Sequence, residues 1–223
     1  MPRPKLPGHV RKAPRRVAPF RCRLVVMVKA PVMGSVKTRL ARQIGSVSAT
    51  YFYRHTAAAV LSRLSRLPVW QTSVLIAPDA AVSHAIWPRH LARLPQGPGD
   101  LGARMQRAFD RAIPGPVVLI GTDIPAIRTQ HIAAAFRALG HADAVFGPAV
   151  DGGYWLVGMK RRPRVLSPFS GVHWSTPEAL SDTLRNLDGA RIATVATLND
   201  VDNAVDFARV RSWCGRRVLP QGC

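Results

Sequence analysis

Short strand-like apolar runs alternating with helical patterns constrain this chain more than any other feature. The runs at 24–28, 73–77 and 117–120 have the length and composition of parallel strands buried on both faces. Helical patterns stand between them. Residues 37–44 place Leu40 and Ile44 on one face, with Gly45 as a stop. Ser46 or Ser48 is placed to cap a longer helix bearing Phe52, Ala59, Val60, Leu64 and Leu67, and Pro68 ends it. A helical stretch is expected near 82–87. Leu101, Met105, Ala108, Phe109 and Ala112 form one helical face behind Asp100, a candidate N-cap. Thr129 is placed to cap a helix carrying Ile132, Phe136 and Leu139. This alternation through residue 140 predicts a parallel sheet wound by βαβ units.

The remainder is less regular. Strands are expected at 144–146 and 154–157, the second either an antiparallel neighbour of the first or crossing below it. A helix over 177–187, with Leu180, Leu184 and Leu187 inside, would open on a capping box of Ser175 and Glu178 around Pro177. A last strand at 192–195 precedes a helix beginning near Asn203. The expected class is α/β, a Rossmann-like three-layer α/β/α sandwich with a mixed, mostly parallel sheet.

The 223 residues fit one large α/β domain. Residues 1–23 are basic, proline-rich and without an acid, and are expected to be a disordered tail. The domain is expected over 24–215, with a short tail at 216–223. Lys and Arg outnumber Asp and Glu by 32 to 12, a formal net charge of +20, which suits phosphorylated or polyanionic partners. The basic tail by itself offers a weak nucleic-acid contact. Cys22, Cys214 and Cys223 form no paired motif, which argues against a disulfide framework or zinc site and suits a reducing cytoplasm. No apolar run reaches the ~18 residues of a membrane span.

In open α/β sheets ligands bind beyond the carboxyl ends of the strands, so the loops after the apolar runs carry the candidate chemistry. The first, Lys29-Ala30-Pro31-Val32-Met33-Gly34-Ser35-Val36-Lys37-Thr38-Arg39, joins a glycine turn and three cations to a helix start, a combination that suits a phosphate chain. Its spacing is not that of a P-loop, and the plain alternative is a basic turn in a basic protein. The second, Gly121-Thr122-Asp123-Ile124-Pro125, sets a carboxylate just after a buried run, where it either holds Mg²⁺ or turns the chain. Around Asp151-Gly152-Gly153-Tyr154 the glycines let the backbone approach a ligand closely, although Asp-Gly is equally a hairpin-turn signal. Asp200-Val201-Asp202 is the only D-x-D in the chain, and Asp202 also reads as an N-cap.

Taken in order, the blocks KAPVMGSVKTRL (29–40), GDLGARM (99–105), GTDIP (121–125), GPAVDGGYWLVG (147–158), FSGVHWST (169–176) and NDVDNAVDF (199–207) resemble a bacterial family of GT-A-fold (nucleotide-diphospho-sugar transferase) proteins. That family is related to the 2-phospho-L-lactate and molybdenum-cofactor guanylyltransferases. The resemblance implies a metal-dependent transferase that uses Mg²⁺ or Mn²⁺ on Asp123 and Asp202. It implies that Lys29, Ala30, Pro31, Gly34, Lys37, Thr38, Arg39 and Thr122 surround a nucleotide, with Gly99, Asp100, Leu101 and Gly102 near its base or ribose. Gly152, Gly153, Tyr154, Trp174, Ser175 and Thr176 would face the acceptor, and Lys37, Arg39 and Asp151 would be catalytic. This chain departs from the family in having Ala103 for a usual Glu, Val150 for an acidic or small residue, Pro98 for a Gly, and Asn203-Ala204 for Thr-Pro.

The implied substrates are a nucleoside triphosphate or nucleotide-sugar and a small acceptor. Nucleotidyl transfer to a phosphorylated acceptor is favoured, because a single Asp after the strand and the VKTRL loop are closer to the guanylyltransferases. Glycosyl transfer is the alternative. A non-catalytic nucleotide-binding module with a nucleic-acid-binding tail is the reading from another class.

Overall fold

The computed structural model describes residues 21–161 and 165–214. Among these residues seven strands form one sheet: β1 (Cys22–Lys29), β2 (Trp70–Ala77), β3 (Ala92–Pro95), β4 (Pro116–Ile120), β5 (Ala144–Pro148), β6 (Tyr154–Lys160) and β7 (Ile192–Thr194). Their order is β3-β2-β1-β4-β6-β5-β7. The β1–β2, β2–β3, β1–β4 and β5–β7 pairs are parallel, while β6 runs antiparallel to both β4 and β5. The expected α/β class with a mixed, mostly parallel sheet is thus the observed one.

Among the described residues six helices accompany the sheet: α1 (Thr38–Ile44), α2 (Ser46–Leu64), α3 (Leu101–Arg111), α4 (Thr129–Ala138), α5 (Ala179–Arg185) and α6 (Ala204–Cys214). The two-residue period of β1 sorts its side chains between the layers. Leu24, Val26 and Val28 pack with Val60, Leu61 and Leu64 of α2 and Ile132 and Ala135 of α4. Val25 and Met27 pack on the other face with Met105, Ala108 and Phe109 of α3 and with Leu187. A smaller cluster of Leu40, Phe52 and Val201, with Phe207 edge-on to Phe52, ties α1 and α6 to the start of α2.

Several local expectations are corrected. Neither Ser46 nor Ser48 caps α2; Gly45, at φ +85°, ends α1 and begins α2 without a side-chain cap. Arg128 rather than Thr129 is the N-cap of α4, and its backbone N–H donates to His131 Nδ1. The capping box at Ser175 does not form: Ser175 has φ +64°, Glu178 is the N-cap of α5, and Thr176 Oγ1 accepts from Glu178 N. Asp100 does cap α3, accepting from Ala103 N at 2.8 Å. Residues 82–87 make turns after a short 3-10 turn at Asp79–Ala81 rather than a helix. β3 has no counterpart in the apolar pattern, because its sequence, ARLP, lies at the sheet edge half in solvent. The first strand starts at Cys22, so Cys22 and Arg23 belong to the sheet and not to the tail. The rest of that tail, residues 1–20, and the expected tail at 216–223 lie outside the described residues.

Candidate functional site

From β1 the chain moves one way to β2 and β3 and later returns to the other side as β4. The loops after β1 and β4 therefore diverge and leave a crevice at the carboxyl end of the sheet, the switch point where open α/β sheets bind ligands. A cleft of about 660 Å³ lies there, lined from β1 and its loop, β4 and its loop, the β5–β6 turn, residues 174–176 and the segment before α6. This volume is that of a small-molecule site.

Lys37 lies at the centre of the cleft's charge. Its side chain is only 6% exposed, and its backbone adopts the left-handed region at φ 46°, ψ 45°, as the N-cap of α1. That conformation is costly for a residue with a Cβ and persists where the surroundings enforce it. Its Nζ donates to Asp202 Oδ1 at 2.9 Å and stands 3.5 Å from Asp123 Oδ1 and 4.0 Å from Asp200 Oδ2. Arg39 approaches the other Asp202 oxygen at 3.7 Å. Burial alone would lower the Lys37 pKa, but the charge of Asp123 and the hydrogen bond to Asp202 outweigh it and raise it. Burial would likewise raise Asp202, yet the hydrogen bond and charge of Lys37 hold it below the ordinary carboxylate value. Asp200 has no such hydrogen bond from Lys37. Burial first, and then the neighbouring Asp202, push it up to about 6.

The cleft brings together many of the residues singled out above: Lys29, Lys37, Thr38, Arg39, Leu101, Thr122, Asp123, Asp151, Gly153, Tyr154, Trp174, Ser175, Thr176 and Asp202 all line it. The others stand back from it. Ala30 is buried, its N–H bonded to Ala77 O; Pro31 lines a second groove beside α2; and Gly34 sits in the turn at φ +76°. Gly99 and Asp100 open α3. Gly102 and Gly152 serve close packing: a Cβ on Gly102 would meet Phe169 O and the Trp174 ring at 2.8 Å, and one on Gly152 would lie 2.2 Å from Pro177 O. Asp151 accepts from Gly153 N at 3.0 Å, which shapes the β5–β6 turn.

Three polar cleft residues, Tyr53, Gln96 and Arg104, are not singled out by the sequence, and a fourth, Asp200, carries no role there. Tyr53, on α2, is buried; its hydroxyl accepts from Lys29 N at 2.8 Å and lies 3.4 Å from Thr122 Oγ1, clasping the ends of β1 and β4. Burial and the charge of Asp123 push its pKa up to about 12, so it is a neutral hydrogen-bonding group. Gln96, also buried, donates from Nε2 to Val28 O and Leu75 O and closes the β3 side. Arg104 lines the cleft and donates to Gly99 O. Asp200 was visible in the D-x-D pair. Tyr53 and Gln96 carry no signal in one dimension, because a polar residue on an apolar helix face or after an edge strand is commonplace.

The rim of the cleft at Trp174, Ser175 and Thr176 is held from behind. Asp182, 5% exposed, accepts from both the backbone N–H of His173 (3.0 Å) and its Nδ1 (2.7 Å), and also pairs with Arg185. The backbone hydrogen bond from His173, then its imidazole, hold the carboxyl below its ordinary value of 3.8. A depressed folded-state pKa gives stability that is complete above the unfolded value and fades as pH falls through the folded one. Asp182→Asn is therefore expected to lower stability at pH 7 and to flatten the decline in stability below about pH 4. Urea denaturation at a series of pH values measures this, and an unchanged acid limb would remove Asp182 from this role.

Comparison with solved structures agrees with this architecture. A candidate nucleotide-diphospho-sugar transferase from Desulfovibrio desulfuricans superposes with a TM-score of 0.77 at 28% identity, covering 88% of each chain. CMP:2-keto-3-deoxy-manno-octonic acid synthetase in complex with CTP superposes at 0.54 with 13% identity, covering 87% of this chain and 98% of that one. Rv0371c of Mycobacterium tuberculosis in complex with manganese superposes at 0.52 with 15% identity, covering 86% and 98%. The last two likenesses are of fold alone. No curated protein matches the sequence. The bacterial family described as "Uncharacterized protein conserved in bacteria (DUF2064)" matches residues 60–176, just over half of the chain, and the protein belongs to that family.

Proposed function

We propose that the protein is a metal-dependent nucleotidyltransferase that moves a nucleoside monophosphate from a nucleoside triphosphate to a small phosphorylated acceptor. The observation that carries this reading is the gathering of Asp123, Asp200 and Asp202 around Lys37, with Arg39 paired to Asp202 and Lys29 lining the same cleft, at the switch point of an open sheet. Carboxylates beside cations in one cleft suit a substrate whose negative charge is shared between a metal and basic side chains. The oxygen donors match the preference of Mg²⁺ and Mn²⁺ for hard ligands, and Asp123 and Asp202 are the residues assigned to hold the ion. Bound there, the metal would polarise the phosphate oxygens.

In the reaction an acceptor phosphate oxygen attacks the α-phosphorus. The bond from that phosphorus to the bridging oxygen breaks, and pyrophosphate leaves. Lys29, Thr38 and Arg39 hold the phosphates, and Arg39 and Lys37 offset the charge that grows on the leaving group. Leu101 and Thr122 border the nucleoside side. Tyr154, Trp174, Ser175 and Thr176 form the acceptor rim, and Asp151 is the carboxylate that orients the acceptor. The rate enhancement comes mainly from positioning and electrostatics.

A second reading, glycosyl transfer from a nucleotide-sugar, is favoured by the Asp200-Val201-Asp202 pair at the site and by the 28% likeness to a candidate nucleotide-diphospho-sugar transferase. Thermal denaturation with nucleoside triphosphates, diphosphates and nucleotide-sugars, each with and without Mg²⁺ or Mn²⁺, separates the two. A ligand at 100-fold its Kd stabilises by about 2.7 kcal/mol. Metal-dependent stabilisation by one triphosphate is expected. Stabilisation by a nucleotide-sugar in preference to its triphosphate would replace nucleotidyl with glycosyl transfer, and no stabilisation by any of them would overturn both.

A further inference from the structure

The sequence has twelve acids and a net charge of +20, yet four of those acids, Asp123, Asp151, Asp200 and Asp202, line one cleft. Three of the four surround a single buried ammonium. Lys37 Nζ lies 2.9, 3.5 and 4.0 Å from oxygens of Asp202, Asp123 and Asp200. Among the described residues no three acidic, His or Cys side chains are already gathered at metal-ligand spacing. The ammonium of Lys37 lies among these three carboxylates. A buried lysine needs an anionic partner, and a carboxylate triad needs a cation. Each satisfies the other in this state.

We propose that Lys37 is the resident cation of this carboxylate site, that a divalent metal enters by displacing it, and that Asp200 is the third carboxylate of the metal-bound site. This rests on the metal-dependent reading above and adds to it a competition and a ligand. Mg²⁺ binds oxygens at about 2.0–2.1 Å in a near-octahedral shell, so an ion centred on these carboxylates and an ammonium hydrogen-bonded to the same oxygens exclude one another. The lysine is tethered at the strained N-cap of α1, one residue from Thr38 and two from Arg39, in the loop assigned to the phosphates. On leaving the carboxylates it therefore remains in the cleft, where a phosphate chain supplies a replacement anion. Metal and triphosphate then assist one another, because each removes a partner that Lys37 would otherwise share between them.

The competition has a signature that a structural lysine lacks. Mn²⁺ titrated alone, with free Mn²⁺ followed by electron paramagnetic resonance, is expected to bind Lys37→Gln about tenfold more tightly than the wild type. Lys37→Arg, which keeps a cation in place, is expected not to gain. Inorganic tripolyphosphate in the presence of Mn²⁺ is expected to bind Lys37→Gln more weakly, so the two affinities move in opposite directions. Asp200→Asn in the otherwise native chain is expected to weaken Mn²⁺ binding about tenfold, and this arm stands even if Lys37→Gln does not fold. Thermal melts establish which variants are native. Equal or weaker Mn²⁺ binding by a folded Lys37→Gln overturns the displacement and leaves the metal-dependent reading standing. Unchanged Mn²⁺ binding by Asp200→Asn overturns its place as a ligand. No Mn²⁺ binding by any form, wild type included, overturns the metal-dependent reading itself.

Discussion

Replacing Asp123 with alanine is expected to weaken metal-dependent nucleotide binding on the order of 100-fold or more, about 2.7 kcal/mol, while the protein stays folded. The asymmetry follows from where this side chain sits. Asp123 follows the buried strand β4, but its side chain is 54% exposed and pairs with Lys37 at 3.5 Å. Removing it takes away no core contact. Lys37 keeps Asp202 at 2.9 Å and Asp200 at 4.0 Å, so no bare buried charge is left behind. Isothermal titration with Mn²⁺ and the triphosphate found by the thermal screen, run beside a thermal melt, measures both halves. Wild-type affinity in the variant would move the metal elsewhere. A collapse of the melting temperature would mean that Asp123 supports the loop rather than the ligand.

The largest effect on stability is expected for Phe109→Ala. Phe109 is fully buried on the inner face of α3, in the cluster with Val25, Met27, Leu119 and Phe146. Truncating a buried phenylalanine removes its transfer free energy and leaves a cavity, together about 3–5 kcal/mol. For a domain of this size that lowers Tm by roughly 6–20 °C. The residue also reaches toward the site. Its ring stacks on Phe169 with centroids 6.1 Å apart, Phe169 lies 6.3 Å from Trp174, and Trp174 meets Tyr154 edge-on at 6.4 Å. The proposed acceptor rim thus leans on the α3 layer through one aromatic series. Urea denaturation gives the stability loss, and a loss below about 1 kcal/mol would show that α3 is not packed as described. The conservative Phe169→Leu should cost less in stability, because it fills most of the same volume.

The three apolar runs at 24–28, 73–77 and 117–120 were enough to specify the parallel half of the sheet, because a strand buried on both faces leaves a continuous apolar signature and a helix between two such strands leaves a periodic one. Asp100 as the cap of α3 was legible too, since a cap is a contact between near neighbours in sequence. Other local features were misread for an equally local reason. Ser46, Ser48, Thr129 and Ser175 all have capping chemistry, but whether the side chain turns back on its helix depends on backbone angles set by packing, such as φ +85° at Gly45 and φ +64° at Ser175. β3 was missed because an edge strand half in solvent, held by pairing to β2, needs no apolar pattern of its own.

At the cleft the division is sharper. Sequence order was enough to nominate the loops that bear Lys37 and Asp123, since acids and cations just after buried strands must lie at the carboxyl end of the sheet, whereas Asp151 and Asp202 took their roles from the family resemblance. Sequence order could not reveal that Lys37 sits among the carboxylates, because that contact joins positions 165 residues apart. Nor could it reveal that Tyr53 clasps the ends of β1 and β4, or that a Cβ on Gly152 would strike Pro177. Periodicity and capping are properties of neighbours along the chain, and one dimension records them. The burial of a charge, the partner that neutralises it and the atom that a missing Cβ would strike are properties of neighbours in space, and only the folded sheet brings those together.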